Sequence, residues 1–142
     1  MSRDDYDKGM KTRRKVLGDE WVDRSLATMT PFNEEFQELI TRYAWNEVWN
    51  RPRIPHKVRR MIVIAQMVAL GRWEEFALHV RAALTSGDLD ADDVKEILLQ
   101  STIYCGVPAA NHAFKEAREV MKQLEAAAPG ASAKKASPKK RK

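Results

Sequence analysis

The chain has 142 residues, enough for one domain and a short appendage but not for a second hydrophobic core. Hydrophobic residues at 44% and charged residues at 32% are typical of a globular protein. No apolar run approaches the roughly 20 residues that span a bilayer, and the N-terminal segment lacks the apolar stretch of a secretory signal. Because the single cysteine, Cys105, cannot form an intrachain disulfide, we expect a cytoplasmic protein.

The net charge of +5 is concentrated in one short segment. Six basic residues lie among the last nine positions, and the rest of the chain holds 19 basic and 20 acidic residues. From Pro129 the sequence contains only small residues, proline and basic residues, so we expect a domain over residues 1–128 and a disordered tail over 129–142. The tail is interpreted as solubilising or, alternatively, as a weak contact for polyanions without specificity for a nucleic-acid sequence.

The first half of the domain predicts helices over residues 4–17 and 20–28. A third helix is expected to begin at Thr30-Pro31, a capping hydroxyl followed by proline at the first helical position. Apolar residues then recur every third or fourth position from Phe32 to Tyr43, which predicts one apolar helix face. Trp45 and Trp49 add a second aromatic stripe beside that face.

The second half predicts four helices, over residues 56–70, 72–86, 90–105 and 109–127. The first of these is apolar from Met61 to Leu70 except at Gln66, which predicts a central buried helix. Glycines mark the ends of the helices, and Asp90 is expected to cap the third of them. The fold class is therefore a compact all-α domain with helical hairpins at 56–86 and 90–127.

The helix over 72–86 combines two apolar sides with a possible acid–base pair. Leu78 and Ala82 lie opposite the main apolar stripe, which predicts a subunit interface. Glu75 and His79 are four residues apart and lie beside the stripe. If buried together, Glu75 would orient the imidazole and raise its pKa, as a general acid requires; the alternative is a surface pair contributing a few tenths of a kcal/mol.

Other chemistry is less strongly indicated. The three histidines show no metal-ligand spacing, so no metal site is expected. Cys105 falls at a helix C-terminus, where the helix dipole disfavours a thiolate, and we interpret it as a packed residue or a pocket lining. Arg59 and Arg60 are either solvated cations or an anion clamp for a carboxylate.

Four blocks in register resemble the carboxymuconolactone decarboxylase family: Phe32 to Trp45, Met67 to Leu70, Leu78 to Ala83 and Ile103 to Asn111. The similarity extends over about residues 5–125. It implies the alkylhydroperoxidase-D-like fold, in which all-α subunits form trimers or hexamers with sites near subunit contacts. The peroxidase branch of that superfamily carries Cys-x-x-Cys-x-x-x-His. His79 matches its histidine, but Arg72 and Glu75 replace the cysteines and Arg60 stands near the branch's glutamate, so disulfide-based peroxide reduction is excluded.

The resemblance implies decarboxylation without a cofactor of 4-carboxymuconolactone, a dicarboxylate, to 3-oxoadipate enol-lactone. This reaction belongs to the protocatechuate branch of the β-ketoadipate pathway. We expect His79 to act as proton donor or oxyanion partner, with Glu75 as its orienting residue. Substrate-binding roles are expected for Arg59, Tyr104, Cys105 and Asn111. The alternatives are a related enzyme acting on another lactone or keto acid, and a helical protein that binds polyanions through its tail.

Overall fold

The computed structural model describes residues 2–128, and the expected disordered tail over 129–142 lies outside them. The described residues form seven α-helices and one π-helix without a strand, which confirms the all-α class. The helices are α1 (Arg3–Leu17), α2 (Asp19–Ala27), α3 (Glu34–Ile40), the π-helix (Thr41–Val48), α4 (His56–Leu70), α5 (Trp73–Ser86), α6 (Ala91–Cys105) and α7 (Val107–Ala127). The domain boundary at residue 128 stays a prediction.

Local sequence explains where several helices begin and end. The Asp90 side chain accepts a hydrogen bond from the Asp93 N–H at 2.8 Å, and Asp93 accepts one from the Asp90 N–H at 3.0 Å. This reciprocal pair satisfies N–H groups that a helix start leaves free, as expected for α6. Helix α4 ends at Gly71, whose φ of 67° is the left-handed conformation that glycine adopts without steric cost.

The helices form two packed groups. Helices α4 to α7 enclose the larger core, which includes Ile64, Phe76, Val80 and Leu98. Helices α1 and α2 pack with the π-helix around a smaller apolar cluster consisting of Val16, Leu17, Val22, Trp45 and Trp49, here called the N-terminal cluster. The hairpins expected at 56–86 and 90–127 are present as the packed pairs α4–α5 and α6–α7.

Helix α1 approaches the π-helix closely at Gly9. A methyl group at that position would overlap the carbonyl oxygen of Thr41. Thr41 is itself buried, and its hydroxyl donates a 2.7 Å hydrogen bond to the Gln37 carbonyl. The absence of a side chain at Gly9 therefore allows the two helices to pack backbone against backbone.

The expected helix start at Thr30-Pro31 is wrong. Helix α3 begins at Glu34, after a turn in which the Thr30 N–H donates a 2.8 Å hydrogen bond to the Asn33 side chain. The apolar face that follows points away from the chain, with Phe32 99% exposed. Instead Trp45 and Trp49 are buried and stack with ring centroids 5.2 Å apart.

The expected central burial of α4 is also wrong for a single subunit. Arg60, Ile64 and Val68 form its buried face, whereas Gln66 is exposed and Leu70 is 67% exposed. One side of this apolar helix is therefore not packed against any other part of residues 2–128. Apolar side chains on α6 and α7 are exposed as well, among them Leu99, Ile103, Tyr104 and Val107.

Candidate functional site

His79 lies on α5 between two residues that pack into different apolar groups of the subunit. Its neighbour Val80 belongs to the α4–α7 core, and its other neighbour, Leu78, packs against the N-terminal cluster. The second apolar side of α5 was expected to meet a neighbouring subunit. That expectation is wrong for Leu78, because α1 and α2 of the same chain supply the N-terminal cluster against which it packs.

The imidazole of His79 is largely buried and held neutral. Its Nδ1 has no contact with solvent and no hydrogen-bond partner among the described residues. Burial, followed by the positive charge of Arg60, lowers the pKa of His79 to about 4, and the opposing effect of Glu75 is too small to prevent this. The expected increase in pKa is therefore wrong, and the ring is uncharged at neutral pH.

Glu75 does not pair with His79 despite the four-residue spacing. Its side chain is exposed in the first turn of α5, and no hydrogen bond joins the two residues within the described chain. The preceding Glu74, also exposed, lines a hollow of about 680 Å³ between α1, α2, α5 and the end of α7. A carboxylate beside the helix N-terminus is favourable without any partner, which explains the position of both residues.

Arg60 is a buried arginine that the sequence analysis did not anticipate. It is 1% exposed; its Nε donates to Asp88 at 2.8 Å, Nη1 donates to the Val16 carbonyl at 2.7 Å, and Nη2 donates to the Lys15 carbonyl at 3.3 Å. The interpretation as a solvated cation is wrong for this residue. Arg60 precedes Ile64 by four residues and Val68 by eight, so it lies on the buried face of α4. This spacing could have predicted its burial from the sequence.

The guanidinium of Arg59 is only partly engaged in hydrogen bonds, which leaves a donor for an anion. Its Nη2 donates to the Arg51 carbonyl at 3.1 Å, while its Nε is buried without a hydrogen-bond partner within residues 2–128. A buried donor without an acceptor costs free energy, typically about 1–3 kcal/mol, which an incoming carboxylate would recover.

Tyr104 and Cys105 lie in a groove between α4 and α6. The groove has a volume of about 540 Å³, and its walls include Met61, Ile62 and Ser101. Tyr104 is 83% exposed, whereas Cys105 is half-buried and packs against the core. Both residues thus line one groove, and their substrate-binding roles stay a prediction.

Asn111 lies apart from that groove. It lines a separate hollow of about 220 Å³ on α7, with Phe114, Lys115 and Arg118. The α4–α6 groove and the hollow at Asn111 do not include His79 or Arg59 among their lining residues. One subunit therefore brings Tyr104 and Cys105 together but does not gather all six predicted site residues in either cavity.

Residues 2–128 contain no group of three or more His, Cys, Asp or Glu side chains placed to hold a metal ion. Within the same residues, no helix has the length and apolarity needed to cross a membrane.

Comparison with known proteins gives consistent matches. The model of the carboxymuconolactone decarboxylase family matches residues 34–119. The chain is 43% identical over 119 residues to 4-carboxymuconolactone decarboxylase of Acinetobacter baylyi, covering 84% of this chain and 88% of that protein. It is 37% identical over 109 residues to nitrosuccinic acid decarboxylase of Metarhizium robertsii, covering 77% and 76% respectively. A 4-carboxymuconolactone decarboxylase sequence of Pseudomonas putida is 62% identical over 39 residues, covering 28% of this chain and 81% of that sequence.

Proposed function

Because the chain belongs to the carboxymuconolactone decarboxylase family, we propose that it decarboxylates 4-carboxymuconolactone to 3-oxoadipate enol-lactone. The single observation that supports this substrate most is the 43% identity, over 84% of the chain, to a relative of that name. The product belongs to the protocatechuate branch of the β-ketoadipate pathway. A reaction on a small metabolite by a chain with one cysteine fits the cytoplasm as its compartment.

The chemistry requires no cofactor, because the substrate contains its own electron sink. The carboxylate that leaves is attached to a lactone ring carbon next to a C=C bond conjugated with the lactone carbonyl. The bond to the carboxylate breaks, CO₂ departs, and the electron pair moves through the alkene onto the carbonyl oxygen. Protonation of the resulting dienolate on carbon gives the enol-lactone. The protein must therefore bind a dianion, stabilise an oxyanion and allow one protonation.

His79 is suited to the oxyanion step. A neutral imidazole with one nitrogen unpartnered in the interior can donate N–H to the lactone oxygen as negative charge develops there. The lowered pKa favours this role over that of a resting imidazolium acid. Glu75, being exposed, contributes at most to the field around the ring.

Arg59, Tyr104, Cys105 and Asn111 are proposed to bind the substrate across a subunit contact. The buried Nε of Arg59 supplies a charged donor for a carboxylate. Tyr104 lies on an exposed apolar surface with Ile103 and Val107. Covering this surface with a second copy would bring residues of different subunits together, so we propose a homo-oligomer, a trimer or a hexamer.

The decisive experiment is an assay with the authentic lactone, following the loss of its ultraviolet absorbance. We expect turnover without added metal or organic cofactor. Two His79 variants then separate the two roles: His79→Gln retains an N–H donor but cannot transfer a proton, whereas His79→Ala retains neither. An oxyanion partner predicts that the glutamine variant is at least about tenfold more active than the alanine variant. Equal activities that are both strongly reduced would instead favour proton transfer by His79, and equal activities close to the wild type would exclude both roles.

Nitrosuccinic acid should be assayed as a second substrate, because one relative is named nitrosuccinic acid decarboxylase. Nitrosuccinic acid also has two carboxyl groups, so Arg59 would have an equivalent target. Measuring kcat/KM for both compounds decides between them, and the proposal requires the lactone to be the better substrate by at least about tenfold. Analytical ultracentrifugation of the same preparation tests the trimer or hexamer.

A further inference from the structure

We propose that the subunits assemble head to tail: the apolar face that begins at Phe32 in one copy packs against the part of α7 around Asn111 in the next copy. This contact goes beyond the proposed function, which requires a second copy but does not say which two faces meet. Only the role assigned to Asn111 rests on that function.

The first face lies along α3 and the start of the π-helix and is here called the α3 face. Its side chains follow each other at spacings of four, three and four residues, and each is at least half exposed: Phe32 (99%), Phe36 (58%), Leu39 (52%) and Tyr43 (53%). At roughly 150–250 Å² for a whole aromatic side chain, the three aromatic residues together expose on the order of 400 Å². A specific interface buries about 800 Å² on each partner, and about 60% of that area is apolar. The α3 face therefore supplies most of the apolar area that one side of a stable contact requires.

The second face is a strip of α7 with the same spacing, here called the α7 strip. It consists of Val107, Asn111, Phe114 and Arg118, with Lys115 beside them, and Val107 is 68% exposed. All of these residues except Val107 line the hollow of about 220 Å³. This volume is below the roughly 300–1,000 Å³ of pockets that enclose a small molecule. In a single copy, the hollow is therefore better suited to a side chain than to a substrate.

Carboxylates surround the α3 face. Residues 30–48 contain four glutamates and one arginine, a net charge of −3. Glu34 and Glu35 are exposed in the first turn of α3, next to Phe36, and form no ion pair within residues 2–128. Packing this face against the same face of a second copy would bring these carboxylates together. Such a symmetric contact is disfavoured by the repulsion between like charges.

Cations without a carboxylate partner lie on the α7 strip. Lys115 and Arg118 are exposed and form no ion pair in the described part of the chain. The acidic residues of this stretch, Glu116 and Glu119, are hydrogen-bonded within α7. Opposite charges favour contact between the α3 face and the α7 strip, and like charges disfavour pairing of either face with itself. A contact between two different faces is head to tail, and three such contacts close into a ring when each rotates the next copy by a third of a turn.

This contact would complete the surroundings of Asn111. In one copy Asn111 is exposed at the hollow that it lines with Phe114. The aromatic side chains of the α3 face in a second copy would cover that hollow and exclude water from it. Hydrogen bonds are stronger where water is excluded, so the Asn111 amide would bind a substrate oxygen effectively only in the assembly.

The first experiment measures the mass of the assembly by sedimentation velocity. Phe32→Asp/Phe36→Asp disrupts the α3 face, and Val107→Asp/Phe114→Asp disrupts the α7 strip. We expect each variant alone to form a smaller assembly than the wild type. An equimolar mixture should gain mass, because the intact α7 strip of the first variant can pack against the intact α3 face of the second.

Faces that paired with themselves would give a different pattern. Each variant would retain one self-contact, and mixing would add no mass. That pattern, or a wild type that remains a single copy at every concentration, would overturn the proposal. The control variant Lys8→Glu/Lys11→Glu reverses two exposed cations on α1 and should keep the wild-type mass. Circular dichroism checks that all variants retain their helices.

Charge reversal tests the same contact without changing its apolar side chains. Glu34→Lys/Glu35→Lys and Lys115→Glu/Arg118→Glu should each raise the dissociation constant of the assembly by about tenfold or more, because like charges then face each other. All four substitutions in one chain exchange the charges and should return the constant to within about threefold of the wild type. A loss of helix stability alone would persist in that chain, so a failure to recover would contradict the contact.

The lactone assay separates this contact from the proposed function. The α3 variant and the α7 variant should each lose at least about tenfold in kcat/KM, and their mixture should regain activity, because an intact Asn111 hollow then meets an intact α3 face. Full activity of the α3 variant as a single copy would show that the second copy does not complete the site. A wild type that assembles as described but does not convert the lactone would refute the proposed function and leave the contact supported.

Discussion

Two histidine–glutamate pairs with the same four-residue spacing have opposite surroundings in this molecule. His112 on α7 bonds Glu116 at 3.2 Å and stacks on Trp73 with ring centroids 4.1 Å apart, in a partly exposed position. His79 on α5 is largely buried, and Glu75 does not bond it. The pair that forms is thus the one in contact with water, whereas the unpaired ring retains a free nitrogen in the interior. The four-residue spacing allows a His–Glu pair to form, but the burial of the histidine determines the pKa and the hydrogen bonds of its ring.

The largest expected effect is the loss of activity on removing the buried ring. His79→Ala should lower kcat/KM for the lactone by about 10²–10³-fold, the usual cost of losing one oxyanion donor. His112→Ala is the matched control and should remain within about threefold of the wild type. A loss of less than threefold in His79→Ala would remove the functional distinction between the two histidines.

The buried ring should also make stability depend on pH. The folded pKa of about 4 lies below the unfolded value of 6.5, so the unfolded chain binds more protons between these values and the free energy of unfolding falls as pH decreases through this range. The difference corresponds to about 3 kcal/mol. Urea unfolding at pH 7 and pH 4.5 should show this decline, and His79→Gln should remove most of it. His112→Gln should retain the wild-type dependence; a His79→Gln variant that also retained it would contradict the assigned burial.

A third test concerns substrate binding by Arg59. Arg59→Met should raise KM for the lactone about tenfold or more, because a charge-assisted hydrogen bond to a carboxylate is lost. Lys95→Met removes an exposed cation on α6 and serves as the control. Unchanged KM and kcat in Arg59→Met would exclude the anion clamp.

The surface pair should contribute little to stability. Glu116→Gln should reduce the free energy of unfolding by no more than about 1 kcal/mol, since water and salt screen an exposed pair. Thermal unfolding at low and high salt measures this contribution. A larger loss would show that the stack on Trp73 depends on the charge of Glu116 and would weaken the contrast with His79.

The smallest effect is expected from deleting residues 129–142. An enzyme whose site lies within the domain should retain its kcat/KM, while any binding to polyanions and its salt dependence should disappear. The assay and a heparin-binding measurement on the truncated chain check both parts. Lost turnover would assign the tail to the catalytic unit and support the alternative in which the tail is functional.

The helices could be predicted because their signals are local. Asp90 with Asp93 specifies a helix start, and Gly71 specifies an end, through contacts within a few residues. Tyr104 and Cys105 are neighbours in the chain and line one groove, but whether they bind substrate stays a prediction. The start of α3 was missed because residues 31–33 form a turn that a capping hydroxyl followed by proline does not distinguish from a first helical turn. The open side of α4 was missed because apolar sequence does not reveal which chain covers it.

The sequence by itself determined the helical elements, the family and the candidate histidine. Only the tertiary structure decided that α1 and α2 supply the cluster against which Leu78 packs, that Arg60 is buried against the end of α1, and that Glu75 is left in solvent. The reason is physical: helix formation and capping depend on neighbours within one or two turns. Burial and the field of a fixed charge depend instead on residues far apart in the chain, such as the 45 positions that separate Lys15 from Arg60.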